Sequence, residues 1–333
     1  MPTINDVAKK AKVSKGTVSN AFSGKRPISK EVREKVLKAA KELGYEPNYI
    51  ARSLATKETK IIGINMLKGE NVKFNQFHLS LLNGVLKVCY ENGYRLLVNT
   101  LSEDDQFKSL DPVDGEIILN PSINDKRIDK RLKKRIPIVI VGKPCEKYEK
   151  LVSYVDNDNI NLSKDITDSL LNLGYDNILF FNSLKNRTVS KDRLEGYKLA
   201  FKNKFGKESK NYNIFHNVSY VSSFEYGYNT TKQLIEENRT IKVIIADNDK
   251  VSKGICMAIK ESSTYELKDI LIVVFSNDMY SNDFMPFIMN VYLNPEALGR
   301  EAAKTLIDEI KIKDNVHKKI IIDSNFDLRG FKR

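Results

Sequence analysis

Residues 3–22 read TINDVAKKAKVSKGTVSNAF. The apolar residues of this stretch fall at helical spacing in two groups, namely Ile4, Val7, Ala8 and Ala11, followed by Val18, Ala21 and Phe22. Lys12 and Val13 lie between the groups, and Ser14 can cap the second helix. The spacing therefore predicts two short helices joined by a tight turn, the motif that places one helix end in a DNA major groove.

A third helix is predicted directly after this pair. Ser29 can cap its start, and Gly44 is the expected stop after Leu43. We expect its inward face to carry five apolar residues, Val32, Val36, Leu37, Ala40 and Leu43. Three helices with one shared apolar face are enough to form a small independent head.

Positive charge is concentrated at the N-terminal end of the chain. The whole chain has a formal net charge of +12, and residues 1–60 account for +8 of it. Such a segment gains affinity for phosphate backbones by releasing counterions from nucleic acid. A lysine-rich composition throughout the chain is the other explanation, because the remaining residues are also rich in lysine.

The outward residues near the start of the second helix have side chains suited to DNA. They are Lys15, Gly16, Thr17, Ser19 and Asn20. Lysine matches the acceptors of guanine and asparagine matches adenine, whereas hydroxyl groups suit phosphates. We therefore expect this helix to read bases in the major groove.

Three motifs now show a resemblance: T-I-x-D-V-A, V-S-x-x-T-V-S and L-G-Y-x-P-N-x-x-A-R-S-L occur in order. The head resembles that of the lactose-repressor (LacI/GalR) family of transcriptional regulators. The resemblance implies that Lys15, Gly16 and Asn20 occupy the base-selecting positions, although Gly16 has no side chain with which to select. It adds Thr3 and the hinge residues Asn48 and Ala51 to the expected DNA contacts.

The resemblance also implies a hinge helix, matching Asn48 to Ala55, that folds on operator DNA. In the family, the residue matching Leu54 enters the minor groove and wedges between base pairs. The residues of this sequence agree with the implied hinge helix. Ile50, Ala51 and Leu54 form a small apolar face on a segment too short to be a stable helix alone. Packing of Leu54 on the body is the other interpretation.

From residue 61 onward, short β-branched apolar runs alternate with amphipathic stretches. This alternation predicts an α/β body of parallel sheets flanked by helices, and about 270 residues fit two such sheet units rather than one. The predicted fold class is thus α/β, with an N-terminal helix-turn-helix head and hinge helix followed by a two-lobed body.

The body resembles the type I periplasmic-binding-protein fold. Matching points include Val155-Asp156-Asn157, Arg193-Leu194-Glu195-Gly196-Tyr197 and Asn248-Asp249. The expected limits are as follows: head 1–47, hinge and linker 48–60, and body 61–333, with lobe 1 at about 61–156 and 288–319 and lobe 2 at about 157–287 and 320–333. The resemblance implies an effector between the lobes, at the carboxyl ends of the strands.

Candidate effector contacts follow the motifs of this resemblance. Arg193 matches the family's effector-binding arginine, and Asp249 matches its acidic contact. The remaining candidates are Asn75, Gln76, Phe77, Asn120 and Asn277. Arginine offers five donors to ligand oxygens and aspartate accepts from hydroxyls. A structural ion pair between Arg193 and Asp249 in an empty cleft is the other interpretation.

The chain departs from the family pattern at three places. Too few residues lie between Asn99 and Gly115 for the family's long helix, which affects the expected dimer contact. Ser276 stands where an aspartate is usual. Ser222 occupies a position that is often aromatic, with Phe224 and Tyr226 as possible substitutes.

Several classes of function are disfavoured. The chain has no P-loop, no G-x-S-x-G elbow and no spaced metal ligands, so we expect neither an enzyme nor a cofactor or metal site. A solute-binding protein for transport would need a secretion signal and no DNA head. The scattered cysteines and histidines predict reduced thiols and structural or exposed imidazoles, and no apolar run is long enough for a membrane span.

The sequence therefore predicts a cytoplasmic repressor that acts as a homodimer on a pseudo-palindromic double-stranded operator. Two heads are needed to fill two half-sites. Its effector is expected to be a small polar molecule such as a sugar. The alternative is control by a phosphorylated carrier protein that binds an outer lobe surface.

Overall fold

The structure is a computed structural model that describes residues 2–24, 26–46, 53, 58–67, 75–101, 112–206, 212–218, 221–276, 288–312 and 316–326. The chain divides into two compact units, Met1–Lys60 and Ile61–Arg333. Each unit has its own hydrophobic core. The predicted hinge residues Asn48, Ala51 and Leu54 lie outside the described residues.

The first unit contains three helices at the predicted positions: α1 (Ile4–Ala11), α2 (Lys15–Ser23) and α3 (Lys30–Leu43). Ser14 Oγ accepts from the Thr17 amide at 3.0 Å, and Ser29 Oγ accepts from the Val32 amide at 3.3 Å. Gly44 ends α3 in the left-handed conformation at φ 64°. These start and stop signals are confirmed. The sequence could predict them because each acts within four residues of chain.

The head packs around one apolar cluster, with Val7, Val18 and Val36 fully buried at its centre. Its predicted inward face is wrong at one position, because Leu37 is 42% exposed and Ala39 is buried instead. Leu37 and Ala39 lie at opposite edges of the apolar face, with Ala40 between them. A modest rotation of α3 about its axis therefore decides which of the two faces the core. The motif geometry is unaffected.

The first sheet of the second unit is parallel throughout. In spatial order its strands are β11 (Lys319–Ile321), β5 (Ser153–Asp156), β4 (Ile138–Val141), β3 (Gly115–Leu119), β1 (Ile61–Leu67) and β2 (Arg95–Leu101). The second sheet is also parallel. In spatial order its strands are β10 (Ile288–Tyr292), β9 (Leu271–Ser276), β8 (Val243–Ala246), β6 (Ile178–Asn182) and β7 (Asn213–His216).

Helices cover both faces of each sheet, as buried strands of this kind require. On the first sheet, α4 (Gln76–Glu91) and α10 (Pro295–Ile312) share one face, and α5 (Lys126–Lys133) covers the other. On the second, α6 (Asn159–Asn172) and α7 (Thr188–Phe205) share one face, and α8 (Ser223–Glu236) and α9 (Asp249–Lys260) share the other. The predicted doubly covered α/β architecture is confirmed.

Two strands correct the expected lobe limits. β10 pairs with β9 in the second sheet, although residues from 288 onward were expected in lobe 1. β11 pairs with β5 in the first sheet, although residues from 320 onward were expected in lobe 2. Lobe 1 therefore holds β1 to β5, α10 and β11, and lobe 2 holds β6 to β10. β10 stays with the strand directly before it, whereas β11 pairs with a strand far away in sequence. Strand pairing decides the lobe in both cases, and local patterns do not reveal it.

Candidate functional site

The head presents the predicted DNA-reading surface at the start of α2. Lys15, Gly16 and Ser19 are exposed, whereas Thr17 and Asn20 are half-buried. The core faces of Val18 and Ala21 point to the opposite side of the helix, because those residues are buried. Thr3 is exposed, and its hydroxyl donates to Asp6 at 2.8 Å. Lys15, Gly16 and Ser19 are thus accessible to solvent, and contact of this helix with DNA stays a prediction.

A cavity of about 380 Å³ lies between the two lobes of the second unit. Ends of strands from both sheets contribute to it, including Leu119 and Val141 from the first and Asn182 and Ser276 from the second. Its polar lining is dominated by seven asparagines: Asn75, Asn120, Asn157, Asn159, Asn182, Asn217 and Asn248. Several of these amides bond within the protein, among them Asn157, Asn182 and Asn248. The lining as a whole is polar, and it suits a ligand that both donates and accepts hydrogen bonds.

Arg193 is held rigidly at the floor of the cavity. It is 5% exposed, and its guanidinium group stacks on the Phe275 ring at 3.7 Å from the centroid. Its Nε donates to Asn159 Oδ1 at 3.1 Å, and its Nη1 donates to Asp247 Oδ1 at 2.8 Å. Burial lowers the pKa of Arg193 and the carboxylate of Asp247 opposes that shift. The ion-pair partner of Arg193 is thus Asp247, so the alternative interpretation of an ion pair between Arg193 and Asp249 is wrong.

Asp249 begins α9, where the Asn248 side chain caps the helix by accepting from the amides of Lys250 and Val251. The Ser276 hydroxyl donates to Asp249 Oδ1. The serine that replaces the family's usual aspartate therefore forms a hydrogen bond with the predicted acidic contact, where an aspartate would have added a second negative charge. Both residues line the cavity.

The other sequence-predicted effector residues divide into three groups. Asn75, Phe77 and Asn120 line the cavity together with Arg193 and Asp249. Gln76 is exposed and does not line the cavity. The prediction for it is wrong because the first turn of α4 directs neighbouring residues to different sides. Asn277 lies outside the described residues.

Sequence reasoning missed several lining residues. Asn182 and Asp247 each end or follow a buried strand, so the rule that ligands meet strand carboxyl ends could have found them. His78 lies within a helix and carried no such signal, and the sequence placed it among structural or exposed histidines. Tyr226, named only as a possible aromatic substitute, lines the cavity, whereas Phe224 is exposed.

His78 enters the cavity from lobe 1 and is kept neutral. Its backbone amide donates to Asn75 Oδ1 at 3.1 Å, and its Nδ1 faces the Asn75 amide at 3.5 Å. Burial, together with the positive charge of Lys250, lowers the pKa of His78 to about 4. At neutral pH the imidazole is therefore uncharged and can serve a ligand through a ring N–H or ring nitrogen.

The chain crosses between the lobes three times, and Asn157 joins these crossings. Its Nδ2 donates to the Leu293 carbonyl at 3.1 Å and to the Ile322 carbonyl at 2.9 Å. Asp156 beside it accepts from the amides of Lys143 and Asn157, each at 2.8 Å. Burial raises the pKa of Asp156 to about 6, and the backbone donors oppose that shift.

A second contact joins the lobes away from these crossings. The Ile123 amide donates to the Asn186 carbonyl at 2.8 Å, and Arg187 Nη1 donates to the Asn120 carbonyl at 2.8 Å. Ser122 and Arg187 also form an antiparallel bridge. We call residues 120–123 and 186–188 the interlobe clasp. It borders the cavity, since Asn120 and Arg187 belong to both.

Within the described part of the chain, no helix is long and apolar enough to span a membrane. The same residues contain no cluster of three or more His, Cys, Asp or Glu side chains able to hold a metal ion. Cys89, Cys145 and Cys256 are free thiols, and burial raises the pKa of Cys89 and Cys256 to about 11.

Each of the two units matches a model of a known protein family. Residues 3–48 match the family model of bacterial regulatory proteins of the lacI family. Residues 75–329 match the model of periplasmic binding proteins and the sugar binding domain of the LacI family. The HTH-type transcriptional regulator MalR of Staphylococcus xylosus is 32% identical over 326 residues, covering 93% of this chain and 92% of that protein.

Two solved structures share the fold. The transcriptional regulator CelR in complex with cellobiose aligns with a TM-score of 0.71 and 23% identity, covering 99% of each chain. The Lac repressor dimer bound to operator and the anti-inducer ONPF aligns with a TM-score of 0.79 and 19% identity, covering 98% of this chain and 97% of that one.

A helix-turn-helix head on the same chain as two lobes with a polar cavity between them defines a DNA-binding regulator controlled by a small polar effector. This chain belongs to the LacI family of bacterial transcriptional regulators. Members of this family are transcriptional regulators rather than enzymes.

The depressed pKa of His78 predicts a specific pH dependence of stability. Because the unfolded imidazole titrates near 6.5 and the folded one near 4, stability falls as pH drops through this interval. From pH 7 to pH 5 the wild type should lose about 2 kcal/mol of unfolding free energy through His78, and His78→Gln should not show this loss. Urea unfolding at the two pH values measures this. The exposed His317→Gln variant is the control, and equal pH slopes in wild type and His78→Gln would contradict the prediction.

Proposed function

We propose that this protein is a repressor that binds a pseudo-palindromic operator as a homodimer and changes its operator affinity when a neutral sugar binds between its lobes. The observation that carries the proposal is the interlobe cavity, whose lining is rich in amides and balanced in charge.

The charged groups around the cavity favour a neutral ligand. Three acidic and three basic residues line its described part: Asp156, Asp247, Asp249, Arg187, Arg193 and Lys250. Arg193 is neutralised by Asp247, and Arg187 donates to a backbone carbonyl of the clasp. A phosphate or carboxylate ligand would find no surplus positive charge, whereas hydroxyl groups can bond to amides and to paired charges alike.

The comparisons point to the same ligand class. The family model that covers residues 75–329 describes a sugar binding domain, and the CelR structure contains cellobiose. We therefore propose a small gluco-oligosaccharide as the effector, contacted by Asn75, Phe77, Asn120, Arg193 and Asp249. Asn277, which lies outside the described residues, is a further candidate from the sequence.

An apolar stripe on lobe 1 supports the homodimer. Leu79, Leu86 and Tyr90 share one side of α4, and Tyr90 is 88% exposed. Large apolar groups in a continuous row on a helix are typical of a protein contact. The neighbouring strand β2 lies at the edge of its sheet and exposes Val98. We propose that a second copy of the chain covers this stripe.

The head residues Thr3, Lys15, Gly16, Thr17, Ser19 and Asn20 are proposed to contact DNA, as are the hinge residues Asn48, Ala51 and Leu54. Of these, Lys15 and Asn20 are proposed as the base-reading side chains, because lysine matches guanine, asparagine matches adenine, and neither residue lies among the buried residues of α2. Leu54 is proposed to wedge into the minor groove of the bound operator.

We expect Lys15→Ala and Asn20→Ala each to weaken binding to the preferred operator by about 1–3 kcal/mol and to relax the choice of base at one position. Selection from a randomised operator library followed by gel shift measures both effects. Lys41→Ala, an exposed lysine at the end of α3, controls for charge alone. An unchanged base preference in both variants would show that other residues read the operator.

We expect Arg193→Ala and Asp249→Ala each to weaken effector binding at least about tenfold, because each removes a charged hydrogen-bonding group from the cavity. Calorimetry against maltose, cellobiose, glucose and glucose 6-phosphate measures this, with the exposed Arg239→Ala as control. Operator binding without sugar should persist, since the head has its own core. Full sugar affinity in both variants would favour control by a phosphorylated carrier protein instead.

We expect Tyr90→Asp to shift the protein from dimer to monomer, because it places a charge in the centre of the proposed apolar contact. Sedimentation velocity over a range of concentrations measures the change. Phe205→Asp, at an exposed aromatic residue on lobe 2, is the matched control and should leave the dimer intact. A dimer of unchanged strength in the Tyr90 variant would place the contact elsewhere.

A further inference from the structure

Tyr226 carries a polar atom that the described part of the protein leaves without a partner. The residue is 6% exposed, and its hydroxyl is fully buried with no hydrogen-bond partner among the described residues. Buried hydroxyls are normally paired, because desolvation without a partner is unfavourable. Tyr197 in the same lobe shows the usual arrangement, since its hydroxyl donates to the Ile178 carbonyl at 2.8 Å.

The ring of Tyr226 is closely packed on the side of the sheet and the helices. It packs in the core between the second sheet and helices α8 and α9, at 5.8 Å from the Phe181 ring. The next residue, Gly227, presses α8 against α9 so closely that an added Cβ would lie 2.2 Å from the Val251 carbonyl oxygen. Close packing therefore restricts the ring, and in this position the described residues offer its hydroxyl no acceptor.

The position of Tyr226 borders the interlobe cavity, which it lines together with Asp247. Burial raises the pKa of Tyr226, and the nearby carboxylate of Asp247 raises it further. The phenol therefore keeps its proton at physiological pH and remains a hydrogen-bond donor. Asp247 already accepts from Arg193 and from the Asn248 amide group, so its carboxylate is fixed in place.

We propose that Tyr226 is a specificity residue whose hydroxyl donates to an oxygen of the bound effector, so that the ligand supplies the partner that the described residues do not. This assignment rests on the neutral-sugar effector proposed above. A sugar hydroxyl suits the position because it can accept from the phenol and donate its own proton to a carboxylate such as Asp247. A site of this kind rejects an analogue that lacks the hydroxyl, because the buried phenol then stays unpaired.

Three Tyr→Phe variants test the assignment: Tyr226→Phe, Tyr228→Phe and Tyr197→Phe. Tyr228 is the matched control on the same helix, and its hydroxyl donates to Glu261 at 2.6 Å. Melting temperatures are measured without ligand, and calorimetry measures binding of maltose and cellobiose. We expect Tyr226→Phe to raise the melting temperature of the unliganded protein and to weaken sugar binding at least about fivefold.

The controls should behave differently in both measurements. Tyr197→Phe should lower the melting temperature because it removes a satisfied hydrogen bond, and Tyr228→Phe should leave sugar affinity unchanged. A lower unliganded melting temperature in Tyr226→Phe would show an internal partner and overturn the assignment. Unchanged sugar affinity in Tyr226→Phe, with binding by wild type, would overturn it for Tyr226 alone. Failure of wild type to bind either sugar would contradict the proposed effector class and this assignment with it.

Discussion

The body of this regulator depends on a single side chain that joins its three chain crossings. Asn157 lies in the first crossing and donates to carbonyls in the other two, at Leu293 and Ile322. Parallel strands need long crossover connections, so the segments that cross between the lobes are far apart in sequence. They are separated by up to 165 residues and meet at Asn157. The cavity lies next to this junction, and its lining depends on it.

The parts of the fold that could be predicted are those decided by near neighbours. Ser14 and Ser29 cap helices through contacts three residues away, and Gly44 ends α3 through its own backbone conformation. The lobe limits near residues 288 and 320 were wrong because strand pairing decides the lobe. β10 stays with the preceding strand β9, and β11 pairs with β5, far away in sequence. Leu37 was wrong for a smaller reason, since a helical face of this width leaves its edge residues undecided.

The site shows the same division between local motif and tertiary packing. The motifs around Arg193 and Asp249 correctly brought both residues to one cavity. They did not reveal that Arg193 would pair with Asp247 and stack on Phe275, or that Ser276 would bond to Asp249. Those choices depend on how α7, α9 and β9 approach one another. His78 and the orphan hydroxyl of Tyr226 became visible only through burial, which a single sequence does not show.

The interlobe clasp gives the body a mechanical property as well as a chemical one. The crossings at Asn157 and the clasp at Asn120 and Arg187 attach the lobes at two separate points. Two rigid bodies attached at two points retain one rotation, about the line through both, that stretches neither attachment. The line through the two attachments is therefore the rotation axis of one lobe relative to the other. A rotation about that line would change the width of the cavity and leave the hydrogen bonds of Asn157 and of the clasp unbroken.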